Sequence, residues 1–251
     1  MDFDYARRFG GVARLYGEAG LAALAQAHVG VVGIGGVGSW AVEALARSAV
    51  GQLTLIDLDM VAESNTNRQL HAMEGVYGKA KVDAMAERIL AINPACTVHC
   101  IEDFVTADNL PEMLDRGFDV VIDAIDQARV KIAMIAWCKR QKLPIVVAGA
   151  AGGQIDPTQV RLADLSQTVQ DPLLAKVRAS LRREHGFPRQ GKMGVSCVYS
   201  TEALRYPDKN ASCDTGSGPA GLNCAGFGSS ACVTSVFGFA AASQAIKLIT
   251  G

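Results

Sequence analysis

The sequence predicts an α/β fold: a Rossmann-like, doubly wound, mostly parallel sheet with a C-terminal extension carrying substrate loops. Apolar residues make up 49% of the 251 positions but aromatics only 6%, a balance that favours a parallel sheet covered by helices over a β-sandwich. Short β-branched runs alternate with helical stretches as far as residue 150. The first of those runs ends in a glycine-rich turn that leads into a helix. A chain of this length suits one large domain, burying roughly three-quarters of the surface its unfolded form exposes.

The elements follow in order. Residues 1–28 read as short amphipathic helical pieces with Arg7, Arg8 and Arg14 close together. The run 28–33 is apolar and β-branched, hence a buried strand. After the glycine turn, 39–49 reads as a helix stopped by Gly51. Residues 53–57 form the second strand. A helix over 79–92 stops at Asn93-Pro94, because the residue before a proline avoids the helical region. Strands at 97–101, 120–123 and 144–148 alternate with helices at 108–115 and 130–141. Regular alternation of this kind makes the sheet parallel.

Beyond Gly149 the alternation is lost. Small residues crowd 149–153, and 171–192 turns basic through Lys176, Arg178, Arg182, Arg183, Arg189 and Lys192. Residues 207–230 are rich in Gly, Ser, Asn and Asp. The sequence therefore divides into a nucleotide-binding half, 1–150, and a substrate-binding half, 151–251. The apolar tail 231–249 contains Thr234, Ser235, Ser243, Gln244 and Lys247, so a buried helix is expected ahead of a membrane anchor.

Charge is nearly balanced, 24 basic against 25 acidic residues, which excludes a global polycation and leaves nucleic-acid contact to a local patch. DNA is not an expected partner. The seven cysteines are an odd number, no signal-peptide pattern opens the sequence, and no C-x-x-C pair occurs. Those features predict a reducing cytoplasm and no structural zinc site. Cys197 and Cys232, the two thiols considered as nucleophiles, lie in apolar runs and are expected to pack as small hydrophobes.

Gly33, Gly35, Gly36 and Gly38 fit G-x-G-x-x-G between a strand and a helix. Such a turn lets the backbone approach a phosphate while helix N–H groups face the anion. Asp57 ends the second strand, where a carboxylate accepts ribose hydroxyl protons. Those residues alone define a nucleotide site, for which an NAD-dependent dehydrogenase is the default. The following cluster, with Asp59, Asn67, Arg68 and Gln69 and then Lys81, is more than hydride transfer requires. It suits a triphosphate whose α-phosphorus reacts, because charge grows on phosphoryl oxygens as pyrophosphate leaves. Arg68 can clamp phosphate and Lys81 can act as a point charge. Asp123 and Asp126 lie at the carboxyl end of the fourth strand, where ligands gather. Asp123 is the first candidate for holding magnesium, with a helix N-cap as the alternative.

As an ordered set, these motifs resemble the ubiquitin-activating-type adenylating family, which includes the bacterial MoeB, ThiF and HesA proteins. The match is strongest over residues 8–150. The resemblance implies one ThiF-like domain over 1–251, a homodimer, ATP held by Asp57, Asn67, Arg68, Gln69 and Lys81, and magnesium approached by Asp123. Segments around 148–158, Asp171, Cys197 and Glu202 are similar to a branch whose members act on threonylcarbamoyladenosine beside the anticodon of tRNA. That branch implies a monovalent cation, K or Na, and a link to a cysteine desulfurase and sulfur-acceptor pair. The family's R-[FY]-x-R pattern, whose second arginine reaches the neighbouring subunit's nucleotide, reads here Arg8-Phe9-Gly10-Gly11. Arg8 and Arg14 are the candidates in its place.

The reaction so implied begins with the threonyl carboxylate attacking the α-phosphate of ATP and expelling pyrophosphate. The carbamoyl oxygen then displaces AMP and closes a ring. Arg68, Lys81 and Asp123 are the expected catalytic residues, the basic stretch the expected tRNA contact, and Phe187 and Tyr199 the expected base-stacking rings. Three rivals stay open: an adenylating enzyme for a ubiquitin-like sulfur carrier, a dinucleotide oxidoreductase, and a non-catalytic sulfur-transfer scaffold.

Overall fold

The computed structural model describes residues 3–206 and 227–251. Cys213, Cys224 and most of the 207–230 stretch lie outside the described residues. The strands are β1 (His28–Val32), β2 (Gln52–Ile56), β3 (Thr97–Ile101), β4 (Val120–Asp123), β5 (Ile145–Ala148), β6 (Val160–Asp164) and β7 (Ser196–Ser200). The helices are α1 (Tyr5–Gln26), α2 (Gly38–Arg47), α3 (Lys81–Ile92), α4 (Leu110–Leu114), α5 (Ala128–Gln141), α6 (Pro172–Glu184) and α7 (Ala231–Thr250). One seven-stranded sheet runs β3-β2-β1-β4-β5-β7-β6. All neighbours are parallel except the β6–β7 pair. The order reverses between β1 and β4, the switch point at which open α/β sheets hold their ligands.

Alternate strand residues feed two cores. Val29, Val31, Leu53, Leu55, Val120 and Ile122 pack with α2, α3 and α7 on one face. Val32, Ile56, Val121, Val147 and Cys197 pack with α4, α5 and α6 on the other. Helices cover both faces, as the expected doubly wound architecture requires. Helix α1 bends at Gly17, whose φ of 78° is non-helical, which accounts for the predicted short pieces.

The extension departs from expectation in its strands. Its strands β6 and β7 are absent from the sequence expectation, because they pair antiparallel at the sheet edge, outside the strand–helix alternation, and β6 has no buried residue. The tail helix α7 is long and apolar enough to cross a membrane by length and composition. It instead lies across α2 and reaches β4, β5 and β7. Val233, Phe237, Ala241 and Ala245 on it are fully buried, as the buried-helix expectation requires.

Candidate active site

The glycine turn leaves β1 and enters α2. A Cβ on Gly38 would lie 1.8 Å from the Gly33 carbonyl oxygen, so only glycine lets the helix start tight against the strand end. Asp57, leaving β2, fixes this turn: its Oδ2 accepts from the Ile34 N–H at 2.6 Å, and Oδ1 accepts from the Asp59 N–H at 2.9 Å. Burial raises the Asp57 carboxyl, while Lys81 and the two N–H groups pull it back.

Lys81 begins α3, an unfavourable helix end for a cation without an anion nearby. Asp59 supplies one within the chain, its Oδ2 lying 2.7 Å from Lys81 Nζ, with Asp57 at 3.9 Å. Lys79 pairs with Glu87 instead. Arg68 sits on the segment following a 3-10 turn at Glu63–Asn65. Its Nη1 donates to the Ser64 carbonyl at 2.8 Å and to Asn67 Oδ1 at 2.9 Å. The Arg68 carbonyl accepts from Trp40 Nε1 and Thr234 Oγ1, so α2 and α7 hold the backbone that presents the guanidinium. Asn67 donates from Nδ2 to the Ser229 carbonyl at 2.9 Å, tying the same segment to the start of α7. Burial lowers the Arg68 pKa without threatening its charge.

These groups converge on a cavity of about 450 Å³. Gly33, Gly35, Gly36, Asp57, Asp59, Arg68, Gln69, Lys81 and Asp126 line it, together with the Gly149–Gly152 loop. Gly38 and Asn67 do not; Gly38 underlies the turn and Asn67 anchors it. A nucleoside triphosphate fits this lining: a phosphate-type glycine turn, a carboxylate at the next strand end and two cations from separate segments. The buried Gln69 side chain, whose Nε2 lies beside Gly35, also has an oxygen with no hydrogen-bond partner among the described residues.

The structure reverses the expected order of the two aspartates. Asp123 is fully buried beneath the cavity, its Oδ1 2.7 Å from Lys131 Nζ. It accepts from the Ile125 N–H at 3.2 Å, so it braces the β4–α5 turn. Burial raises its carboxyl against the pull of Lys131. Three residues on, Asp126 reaches the cavity. Alternation along an extended chain hides the first carboxylate, and the turn exposes the second.

The other expected contact residues lie outside the cavity lining. Arg8 donates from Nη1 to the Ile92 carbonyl at 2.7 Å and the Ala91 carbonyl at 3.3 Å, capping the C-terminus of α3. Arg14 is exposed. Within the basic stretch, Arg178 is held by the Leu165 and Thr168 carbonyls, and Arg182 by the Pro188 carbonyl, so both serve the fold. Lys176, Arg183, Arg189 and Lys192 are exposed, with Arg183 paired to Glu184. Only the N-terminus of α6 touches the cavity, through Pro172 and Leu173. Phe187 and Tyr199 are core residues at 7% and 6% exposure, unable to stack on a base. Cys197 is buried, with its thiol pushed far up by desolvation, which makes it a poor nucleophile. Cys232, expected in the core, is exposed in the first turn of α7.

The crevice at the switch point, with carboxylate and cations gathered on a phosphate-type turn, defines a nucleotide-binding α/β protein of the Rossmann-like class. The chain belongs to the ThiF family, whose profile matches residues 5–251. It is 53% identical over 250 residues to the Escherichia coli K12 protein named tRNA threonylcarbamoyladenosine dehydratase, covering 97% of this chain and 93% of that one. The Haemophilus influenzae protein of the same name is 51% identical over 246 residues, with 97% and 93% covered. The crystal structure of the E. coli dehydratase with ATP superposes with a TM-score of 0.88 at 51% identity, covering 98% of this chain and 94% of that one.

Proposed function

We propose that this chain is an ATP-dependent tRNA threonylcarbamoyladenosine dehydratase. The observation that carries the reading is the convergence of Arg68 and Lys81, from segments apart in sequence, on the cavity floored by the glycine turn. Likeness to the dehydratases over nearly the whole chain favours it over activation of a ubiquitin-like sulfur carrier.

In this reading ATP is a substrate, its ribose accepted by Asp57 and its phosphates by the turn's N–H groups, Arg68 and Lys81. The threonyl carboxylate forms a bond to the α-phosphorus as the bond to pyrophosphate breaks. Positive charge fixed in a closed site stabilises the oxygens that gain charge, worth several kcal/mol per contact. The carbamoyl group then closes on the activated carbonyl, loses a proton and releases AMP. The carboxylate oxygen leaves on AMP, so the nucleoside loses one water overall. The protein supplies orientation and charge; no step needs a side-chain nucleophile.

Asp126, which lines the cavity where Asp123 does not, would be the carboxylate to hold a magnesium ion, and the ion would supply positive charge for the phosphates. The exposed Lys176, Arg189 and Lys192 are the tRNA contacts favoured by this reading. The family resemblance supports a homodimer, a monovalent cation and a sulfur-relay partner pair. Unpaired thiols at Cys96, Cys100, Cys138, Cys197 and Cys232 suit a reducing cytoplasm.

Incubation with ATP and tRNA carrying threonylcarbamoyladenosine should yield pyrophosphate and a nucleoside lighter by one water in mass spectrometry. ATP–pyrophosphate exchange that responds to a ubiquitin-like protein and never to tRNA would overturn the reading.

A further inference from the structure

The cavity has two chemically different ends. Asp57, Asp59, Arg68 and Lys81 gather at the ends of β1 and β2. Beyond β5 and β7 the lining is Gly152, Pro172, Leu173, Leu204, Tyr206 and Phe227, with no charged side chain among them. Tyr206 and Phe227 come from different parts of the chain, yet their rings meet at 5.2 Å between centroids and 53° between planes. Tyr206 remains 73% exposed.

Gly153 fastens the pair. Its carbonyl accepts from the Arg205 N–H and its own N–H donates to the Gly228 carbonyl, both at 2.8 Å. Its φ is +74°, and a Cβ there would lie 2.9 Å from Phe227 Cδ1, so glycine alone allows both segments to close on it. Glu202 steadies the approach by accepting from the Ile155 and Asp156 N–H groups at 3.0 and 2.8 Å. A backbone-held aromatic ring with one face against a second ring and most of its surface in water is a platform awaiting a flat ligand.

The base of ATP is not that ligand. The order phosphate, ribose, base runs from the glycine turn past Asp57 towards Phe104 and Val105, which line the cavity after β3. The opposite end is where a second substrate must enter to bring a carboxylate to the α-phosphorus. Unpaired RNA bases are recognised by stacking on aromatic rings. Resting on the function proposed above, the geometry points to Tyr206, backed by Phe227, as the stacking platform for the base of the nucleotide whose carboxylate is activated.

The test compares the intact protein with Tyr206→Ala and Tyr206→Phe. Because Tyr206 is exposed, neither change threatens folding. Tyr206→Ala should raise KM for modified tRNA about tenfold or more, with ATP affinity within about twofold and the salt dependence of tRNA binding unchanged, since stacking releases no counterions. Tyr206→Phe should restore KM. An unchanged KM in Tyr206→Ala, beside a wild type that cyclises the nucleoside, overturns the platform and leaves the function standing. A loss of ATP affinity in Tyr206→Ala would also overturn it by assigning the ring to ATP. A wild type that never dehydrates the nucleoside overturns the function and the platform together.

Discussion

Lys81 and Lys131 are two buried lysines, each 2.7 Å from an aspartate near a strand end, and they differ in what covers them. The side chain of Asp59, which holds Lys81, is 59% exposed, and both residues line the cavity. Asp123 and Lys131 are both completely buried. Helix α6 and strand β7 close the space above: Asp171 and Cys197 lie near enough to feel the charge of Lys131. The same ion pair is therefore a ligand site where one side opens and an internal brace where it is sealed. A sealed pair costs desolvation that only good geometry offsets.

The largest effect should come from opening the sealed pair. Lys131→Met leaves Asp123 buried without its cation, at a loss of about 3–5 kcal/mol, read from urea melts. Adding Asp123→Asn should recover much of it. Burial already raises the Asp123 carboxyl, and removing Lys131 raises it further. A raised folded-state pKa contributes stability below the unfolded pKa that is lost as pH rises through the folded one. The deficit of Lys131→Met should accordingly shrink as pH falls towards 4. Equal melts at pH 7 would mean the pair is no brace.

For Lys81→Met the balance should invert. Removing one preorganised charge at a reacting phosphate costs about 100- to 1000-fold in turnover, while the hydration of Asp59 and the two N–H groups that Asp57 accepts keep the loss of stability below that of Lys131→Met. Normal ATP turnover by this variant would erase the distinction between the two lysines.

His71 sharpens the same contrast beside Lys81. It is 1% exposed, neither ring nitrogen has a partner among the described residues, and burial with Lys81 nearby lowers its pKa from 6.5 to about 4. The neutral ring is favoured in the fold, so its contribution is fully present above pH 6.5 and is lost as pH falls towards 4. That loss is on the order of 3 kcal/mol. His71→Leu should flatten the acid limb of the stability curve over that interval; a limb of unchanged slope would place the titration elsewhere.

The cavity lysine was legible in the sequence and the sealed one was not, and the difference has one cause. Strands β1 to β5 announce themselves as β-branched runs between helices, and Asp57 and Lys81 reach the cavity because chain-local geometry sets them at a strand end and a helix start. Burial by a distant segment leaves no local mark. Nothing around Asp123 and Asp126 says that α6 and β7 will cover the first and leave the second at the opening. Phe187 and Tyr199 read like Tyr206, yet two are core and one is 73% exposed. The strands that make the difference, β6 and β7, pair antiparallel at the sheet edge, which breaks the alternation that made the rest readable.

Helix α6 repeats the comparison within three residues and yields the smallest effect. Arg178 donates to the Leu165 and Thr168 carbonyls, and its removal leaves partly buried acceptors unpaired at about 1–3 kcal/mol. Lys176, two residues earlier, is exposed and makes none of those bonds. Lys176→Ala should leave the melt unchanged. If its ammonium meets a tRNA phosphate, the slope of log Kd against log salt should fall by about 0.7–0.9 and affinity should drop a few-fold for every tRNA alike. An unaltered slope would make Lys176 a solvated helix residue and confine tRNA contact to Arg189, Lys192 and the mouth of the cavity.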